Sequence, residues 1–299
     1  MRLYFLILIH PCMHKVLVTG GKGQLGQSLE KLVGFYPQWQ FFFPDKAIVD
    51  ITQPQDLENF ITQHAITAII NTAAYTQVDQ AEKDPEQAFA VNENGVANLI
   101  FAAEKYNLKL ISFSTDYVFG SQKKGTYSES DIITPFGVYA QSKAKAEALL
   151  LNAKKPMVIV RTAWVFSLYG KNFVKTIRKL GLQKEELQVV NDQWGSPTYA
   201  KDLAVVSLKI IEKYPKQTEI FHMVNTGTTN WFEFAREITI LSKIQTQLLP
   251  VPTTAYPTLA IRPQKVILQT EKIQSYLGIN IRSWQDALAE CIHQMNKNE

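Results

Sequence analysis

The chain has 299 residues, 46% apolar and 11% aromatic, which is enough to bury a large core in one large domain or two intimate ones. Its formal net charge of +4, without a long basic run, argues against nucleic-acid binding. The two cysteines, Cys12 and Cys291, lie near opposite ends, which is typical of a protein from a reducing cytoplasm and predicts neither a disulfide framework nor a metal site.

Residues 1–12 are predicted to be an extension outside the fold. Their apolar run, residues 3–9, is too short to span a bilayer, so no membrane association is expected. Met13 stands directly before a β-branched stretch that is typical of a core strand, and we expect the fold to begin there.

The first strand, residues 15–19, runs into a glycine-rich turn and then into a helical run from Gln27 to about Val33. Strand, glycine turn and helix are the context of a dinucleotide-binding turn, in which the helix N-terminus faces the phosphates. A merely flexible glycine loop is the alternative. The predicted cofactor residues of this turn are Gly20, Gly23, Gln24, Leu25 and Gly26.

A second strand is predicted at residues 39–43 and ends just before Asp45. Asp45 lies where an acidic residue would accept hydrogen bonds from the adenosine ribose, whereas Lys46 would suit a 2′-phosphate, so NADH and NADPH both stay open. Asp50 and Ile51, at the start of the next predicted helix, are assigned to the same site.

A third strand, residues 68–71, is followed by Ala73, Ala74 and Tyr75. Small residues at this point let a flat nucleotide approach the backbone, although tight packing would also explain them. These three residues complete the predicted cofactor site.

Further strands are predicted at residues 108–113 and 157–160, after a long helix from Asp84 to Tyr106. The alternation of apolar strands and helices predicts an α/β fold with a Rossmann-type, doubly wound parallel sheet. Hydroxyls at Ser114 and Thr115 then lie at the carboxyl end of a strand, where such sheets bind ligands.

After Trp164 the pattern changes, and residues 166–299 are predicted to form mainly a smaller, partly interleaved substrate-binding lobe beside a dinucleotide-binding domain at 13–165. One strand near 220–226 is expected to return to the sheet. Helices are predicted at residues 172–180, 202–214, 230–241 and 283–295, a strand at 187–190 and a loop-rich stretch at 250–263.

Tyr139 and Lys143 lie four residues apart on a predicted helix and therefore share one face. A lysine beside a tyrosine is expected to lower the pKa of the phenol, which could then exchange a proton near neutral pH. Alone the pattern is equally typical of a packed ring and a solvated amine.

The order of the glycine turn, Thr115 and the Tyr139/Lys143 pair resembles the extended short-chain dehydrogenase/reductase family. In that family a Ser or Thr, a Tyr and a Lys act on a carbonyl beside a nicotinamide. Six further stretches are similar to the dTDP-4-dehydrorhamnose reductases within it: Gly-Gln-Leu-Gly (23–26), Asn-Thr-Ala-Ala-Tyr-Thr (71–76), Ser-Thr-Asp-Tyr-Val-Phe (114–119), Arg-Thr-Ala-Trp-Val-Phe (161–166), Asp-Gln-Trp-Gly-Ser-Pro-Thr (192–198) and Arg-Pro (262–263).

The resemblance implies reduction of the C4 ketone of dTDP-4-dehydro-β-L-rhamnose with NADPH or NADH. Tyr139 would donate the proton, Thr115 would hydrogen-bond the same oxygen, and Lys143 would hold the cofactor ribose. The implied substrate contacts are Thr115, Asp116, Trp164, Asn172 and Phe173. For Trp164 a core role is as plausible as a wall for the sugar, and Asn172 with Phe173 could be an ordinary helix start. Relatives form metal-linked dimers; a homodimer is therefore a candidate assembly, but no metal is predicted.

Three alternatives stay open. Dehydratases of the family carry Asp-Glu after the catalytic Thr, whereas this chain has Asp116-Tyr117, which favours simple reduction. A 4-epimerase is compatible with the triad, and the fold also resembles a dinucleotide-binding regulatory subunit of methionine adenosyltransferase. One departure from the reductases, Val266 near a position where they carry a serine, puts local substrate contacts in doubt.

Overall fold

The computed structural model describes residues 14–120 and 125–298. The predicted extension at 1–12, with Cys12, lies outside the described residues. Within them, no helix is long and apolar enough to cross a membrane.

The strands, in chain order, are β1 (His14–Thr19), β2 (Trp39–Phe42), β3 (Ala68–Asn71), β4 (Lys109–Thr115), β5 (Thr126–Tyr127), β6 (Val158–Thr162), β7 (Val165–Phe166), β8 (Glu186–Val190), β9 (Trp194–Gly195), β10 (Thr198–Tyr199), β11 (Glu219–His222), β12 (Thr229–Asn230), β13 (Gln247–Val251) and β14 (Ile267–Leu268).

The α-helices are α1 (Gln24–Glu30), α2 (Pro54–His64), α3 (Val78–Lys83), α4 (Pro85–Phe89), α5 (Gly95–Tyr106), α6 (Val138–Leu151), α7 (Phe173–Gly181), α8 (Ala200–Glu212), α9 (Trp231–Ser242), α10 (Glu271–Leu277) and α11 (Trp284–Asn298). Short 3₁₀ turns occupy Val33–Phe35, Asp116–Phe119 and Thr253–Ala255, and a π-helical turn occupies Ala90–Asn94.

Six strands form one parallel sheet in the order β11-β6-β4-β3-β1-β2. The predicted parallel sheet is therefore confirmed. The strand from the C-terminal part of the chain returns to it, since β11 pairs with β6 from Glu219↔Val158 to His222↔Arg161.

Alternate residues of each central strand face opposite cores. Val16 and Val18 of β1 pack into a cluster with α1, α8 and α10, whereas Leu17 packs into a second cluster with α2, α5 and α6. Both faces of the sheet are thus covered by helices, which explains why its strands are apolar on both sides.

A third cluster builds the C-terminal part around α7, α9 and α11, with Phe166, Phe234 and Leu288 inside it. There β8 pairs in parallel with β13, whose end overlaps the stretch predicted as loop-rich from residue 250. Pro250, the first residue of the predicted loop-rich stretch, lies in β13 itself. The division into two lobes stays a prediction.

Two helix predictions need correction. The predicted continuous helix from Asp84 to Tyr106 is interrupted by the π-helical turn, and α3 before it was not predicted. Asp50 and Ile51 do not start a helix: they form the turn before α2, where Asp50 Oδ1 accepts from the backbone N of Thr52 at 2.9 Å. Short polar side chains favour such turns over helix.

Candidate active site

The sheet has its topological switch point between β1 and β3, because the chain leaves β1 for β2 on one side and returns to β3 on the other. Gly20 follows β1 with a φ of +67°. A Cβ on Gly20 would lie 2.6 Å from the backbone N of Ala73, and one on Gly26 would lie 2.5 Å from the Cα of Gly21. Only glycine therefore allows these segments to approach so closely.

A cavity of about 400 Å³ opens beside this turn. Glycines and alanines form much of its wall, and this cradle fits a dinucleotide because a flat nucleotide and its phosphates can approach the backbone there. The predicted cofactor residues that line it are Gly20, Gly23, Asp45, Asp50, Ile51, Ala73, Ala74 and Tyr75. Leu25 and Gly26 are buried in α1 directly behind the turn.

The rim of this cavity carries paired charges. Lys22 Nζ lies 2.7 Å from Asp45 Oδ1, and Lys46 Nζ lies 3.4 Å from Asp50 Oδ2. A ribose hydroxyl and a 2′-phosphate would each find a matching group there, so this rim does not discriminate NADH from NADPH.

Gln24 links the glycine turn to the C-terminal part of the chain. Its Oε1 accepts from Ser167 Oγ and from Asn172 Nδ2, both at 3.0 Å, and its Nε2 donates to the Val165 carbonyl at 3.3 Å. The side chain of this predicted cofactor residue is thus used within the protein, which leaves its backbone N–H for a phosphate.

Thr115 and Asp116 form a buried pair at the carboxyl end of β4. The Thr115 hydroxyl donates to Asp116 Oδ1 at 3.0 Å and accepts from the backbone N of Tyr117 at 3.3 Å. Burial raises the pKa of Asp116 to about 7, against the lowering effect of the Thr115 hydrogen bond. A carboxyl group that titrates near neutral pH therefore lies beside the predicted catalytic hydroxyl.

Tyr139 and Lys143 project from the first two turns of α6 toward the same place. The Tyr139 hydroxyl lies within hydrogen-bonding reach of Thr115, and its ring meets that of Tyr117 edge-to-face with centroids 5.7 Å apart. Lys143 is only 5% exposed. The fold thus brings the three predicted catalytic residues together, although their roles stay a prediction.

The predicted lowering of the Tyr139 pKa is wrong. Burial raises the pKa of Tyr139 to about 12; the Thr115 hydrogen bond opposes this rise and the Asp116 charge adds to it. Burial also lowers the pKa of Lys143 to about 8, partly offset by the charge of Glu147. Enclosure disfavours the charged form of both groups, and here it outweighs the Thr115 hydrogen bond and the charge of Glu147.

Sequence reasoning missed the residue that joins the cofactor cavity to α6. Asn92, in the π-helical turn and 1% exposed, accepts from the backbone N of Tyr75 at 2.9 Å and donates to the Tyr75 carbonyl and to Ser142 Oγ, both at 3.0 Å. Ser142 in turn donates to the Tyr139 carbonyl at 2.8 Å. Asn92 therefore fixes a cofactor-lining segment relative to the catalytic helix. A glycine at 95, inside a predicted helix, was the available signal of irregularity.

A second cavity, of about 550 Å³, is lined by Tyr117 and by residues of the 253–264 segment. Arg262 lines it and forms an ion pair with Asp79 of α3, which also accepts from the backbone N of Ala260 at 3.0 Å. This pair ties the loop to the dinucleotide-binding side of the chain and so shapes the mouth of the cavity.

The other predicted substrate residues lie among aromatic rings. Trp164 has a φ of +47° and stacks on Trp231, with centroids 3.6 Å apart and planes 9° apart. The Phe173 ring centroid lies 4.6 Å from that of Trp231 and 5.7 Å from that of Phe234, on which Phe173 stacks. Trp164 and Phe173 therefore both pack against other aromatic side chains of the protein. For Trp164 this agrees with the alternative of a core role.

Asn172 caps α7. Its Oδ1 accepts from the backbone N of Lys175 at 3.1 Å, and its Nδ2 donates to Gln24 and to the Ser167 and Tyr169 carbonyls. A nucleotide could bind this side chain only if some of these bonds were exchanged. Asn172 also lines a cavity of about 920 Å³ along α7. Thr115, Tyr139 and Lys143 line neither this cavity nor those of about 400 and 550 Å³.

Val266, near the position where the reductases carry a serine, is a packing residue. Val266 is 1% exposed, lies in a core cluster with Val118, Phe119 and Leu268, and donates its backbone N–H to the Trp194 carbonyl at 3.1 Å. Its side chain faces this core, whereas Arg262 and Gln264 line the 550 Å³ cavity.

Comparisons with known proteins agree over nearly the whole chain. A family model described as the RmlD substrate binding domain matches residues 13–297. A dTDP-4-dehydrorhamnose reductase of Aggregatibacter actinomycetemcomitans is 42% identical over 286 residues, covering 92% of this chain and 97% of the relative. The spore coat polysaccharide biosynthesis protein SpsK of Bacillus subtilis is 35% identical over 282 residues, covering 94% and 98%.

Among solved structures, a dTDP-4-dehydrorhamnose reductase of Bacillus anthracis in complex with NADP superposes with a TM-score of 0.89. It is 35% identical, and the match covers 94% of this chain and 99% of that one.

Proposed function

The chain belongs to the RmlD substrate-binding-domain family, and from this premise we propose that it reduces the C4 ketone of dTDP-4-dehydro-β-L-rhamnose to dTDP-L-rhamnose. The observation that carries the proposal is the hydrogen bond between Thr115 and Tyr139, with Lys143 one turn further along the same face of α6. NADPH or NADH, held by the cradle residues, supplies the hydride.

Tyr139 is the proposed proton donor. With a pKa raised to about 12, it is a phenol at neutral pH and so carries the proton that the developing alkoxide needs. An alkoxide is a stronger base than a phenolate, so the transfer runs downhill even from a phenol this weak. Lys143, on the same helical face, stabilises the phenolate that remains.

Thr115 orients the ketone oxygen. Its hydroxyl hydrogen is directed at Asp116 and must turn to the substrate oxygen, where a donor stabilises the charge that develops in the transition state. Asp116 and Tyr117 occupy the place of the Asp-Glu pair of dehydratases. Tyr117 has a pKa raised by burial, above all, and by the neighbouring Asp116, so it cannot act as the missing base.

The test is consumption of reduced nicotinamide in the presence of dTDP-4-keto sugars, each assayed with NADPH and with NADH. We expect turnover with the 6-deoxy-4-keto sugar and a loss of about 100-fold or more in Tyr139→Phe, with dinucleotide binding retained. Tyr276→Phe, on α10 away from the cavities, is the matched control and should keep full turnover. Turnover that persists in Tyr139→Phe would refute the proton donor. Tight dinucleotide binding without turnover in the wild type would favour the regulatory alternative.

We also propose a location and an assembly for the protein. A cytoplasmic enzyme is in keeping with the sparse cysteines, and a homodimer is the assembly to test by light scattering. In the part of the chain that the structure describes, no group of three or more His, Cys, Asp or Glu side chains is placed to hold a metal ion.

A further inference from the structure

Three polar residues occupy one stripe of α6 at intervals of four: Tyr139, Lys143 and Glu147. The lysine is 5% exposed and the glutamate 1% exposed, so two opposite charges are buried one helical turn apart. Isolated charges are rarely buried at such cost without a compensating function or partner. Glu147 has no part in the chemistry proposed above.

Arg161 of β6 holds Glu147 with both arms of its guanidinium. Nε lies 2.9 Å from Oε1 and Nη2 lies 2.7 Å from Oε2, and Arg161 itself is 2% exposed. Both carboxylate oxygens are thereby fixed by a bidentate pair. With both carboxylate oxygens held by Arg161, Glu147 acts on the Lys143 ammonium through its charge, and no hydrogen bond of that ammonium is found among the described residues.

The pair also fixes α6 against the catalytic strand. Arg161 is in register with Ser114 of β4, directly before Thr115. The Glu147–Arg161 bond therefore helps to fix where the Tyr139–Lys143 face of α6 lies along β4, relative to the Thr115 hydroxyl.

The other polar groups described around this pair lie on the Arg161 side. Arg161 Nη1 donates to the Glu129 carbonyl at 3.3 Å and lies 3.4 Å from His222 Nε2. His222 has its pKa lowered to about 3 by burial, and further by Arg161, so it is neutral at working pH. The Glu129 carboxylate accepts from the His222 backbone N at 3.0 Å.

We propose that Glu147 is a positioning residue for the reaction: clamped by Arg161, its carboxylate keeps the Lys143 ammonium charged and directed at the cofactor ribose and Tyr139. This inference rests on the proposed function for the role of Lys143. It predicts that cofactor affinity and turnover both depend on a charge that touches neither cofactor nor substrate.

The expected signature is a shift along the pH axis. Burial has already brought the pKa of Lys143 down to about 8, with Glu147 opposing the fall. Because a nearby opposite charge moves a pKa by about one unit or more, loss of the carboxylate leaves much of Lys143 neutral at pH 7. The alkaline fall in NADPH affinity and in kcat/KM should then begin about one pH unit lower.

The experiment compares Glu147→Gln with the wild type and with Asp202→Asn. Asp202 is held by Arg282 through an equivalent fork, at 2.8 and 2.7 Å, on α8 and away from Lys143. NADPH binding is followed by fluorescence titration from pH 6 to pH 9, and thermal unfolding is recorded alongside. We expect both variants to lose thermal stability, but only Glu147→Gln to shift the pH profile, and Glu147→Asp to restore part of it.

An unshifted binding profile in a folded Glu147→Gln would overturn the proposal and leave Glu147 as a tether only. Should this variant fail to fold, Glu147→Gln combined with Arg161→Gln removes both buried charges. The profile should still move to lower pH, because Glu147 is the charge that raises the pKa of Lys143 whereas Arg161 is not among its causes, and an unmoved profile again refutes the idea. NADPH binding is measured without turnover, so the pH shift can be observed even if the protein does not catalyse the proposed reduction.

Discussion

Replacing Asp116 by Asn should make the protein more stable and less active. Asp116 is 4% exposed, and its carboxylate accepts from the Thr115 hydroxyl and from the backbone N–H groups of Asp116 and Tyr117. Asparagine keeps the shape and an acceptor oxygen for Thr115 but removes a charge that burial disfavours. A functional site can retain such a group at a cost in stability.

The magnitude follows from the pKa. A rise from the ordinary 3.8 to about 7 corresponds to about 4 kcal/mol, at about 1.4 kcal/mol per pH unit. Asparagine offers these donors one acceptor oxygen instead of two, which offsets part of the gain, so we expect a net stabilisation of about 2 kcal/mol.

The sign depends on pH. Below the unfolded pKa, Asp116 is neutral in both states and its charge has no effect on stability. Between about pH 4 and pH 7 the unfolded chain loses this proton while the folded chain keeps it, so the wild type falls progressively behind the variant. Above pH 7 the difference is complete.

Urea denaturation of both proteins at pH 4, 6 and 8 measures this difference, and kcat at the same pH values measures the activity. We expect the gap in unfolding free energy to widen with pH. We expect kcat of Asp116→Asn to fall at pH 8, where the wild-type carboxylate holds the Thr115 hydroxyl in place before substrate binds more firmly than a neutral amide can. A gap that is constant with pH, or that narrows as pH rises, would show that the carboxylate is not destabilising and that the raised pKa is wrong.

Two further predictions concern contacts that hold the site together. Asn92→Ala leaves the Tyr75 backbone and the Ser142 hydroxyl without their buried partner, and should cost about 3 kcal/mol in urea denaturation and weaken NADPH binding; unchanged values of both would contradict the proposed link. Asp79→Asn breaks a half-exposed pair with Arg262, which should change stability by less than about 1 kcal/mol yet raise the KM for the sugar nucleotide, and an unchanged KM would separate this loop from substrate binding.

The sequence allowed the sheet and the reacting groups to be predicted because both rest on local patterns. The apolar composition of residues 15–19 and 68–71 predicts strands, and the position of glycines 20 and 23 after a strand predicts a dinucleotide-binding turn. The return of β11 to the sheet was predictable for the same reason.

The supporting contacts were out of reach because each depends on a partner that is distant in the chain. Gln24 meets Asn172 across 148 positions, and Asp79 meets Arg262 across 183. Nothing local marks either member of such a pair. The fall of the Lys143 pKa and the rise of the Tyr139 pKa likewise come from enclosure, which a spacing of four residues does not reveal.

These pKa values favour one direction of chemistry. A tyrosine with a pKa of about 12 holds its proton throughout the neutral range, so it is ready to act as an acid and poorly suited to act as a base. Alcohol oxidation would require the phenolate at the outset, in a site where burial disfavours it and Asp116 adds repulsion. Ketone reduction requires the phenol at the outset and forms the phenolate only as the alkoxide is quenched, beside a lysine whose charge Glu147 supports. The enclosure that contradicted the expected lowering of the Tyr139 pKa is therefore what suits this site to reduction.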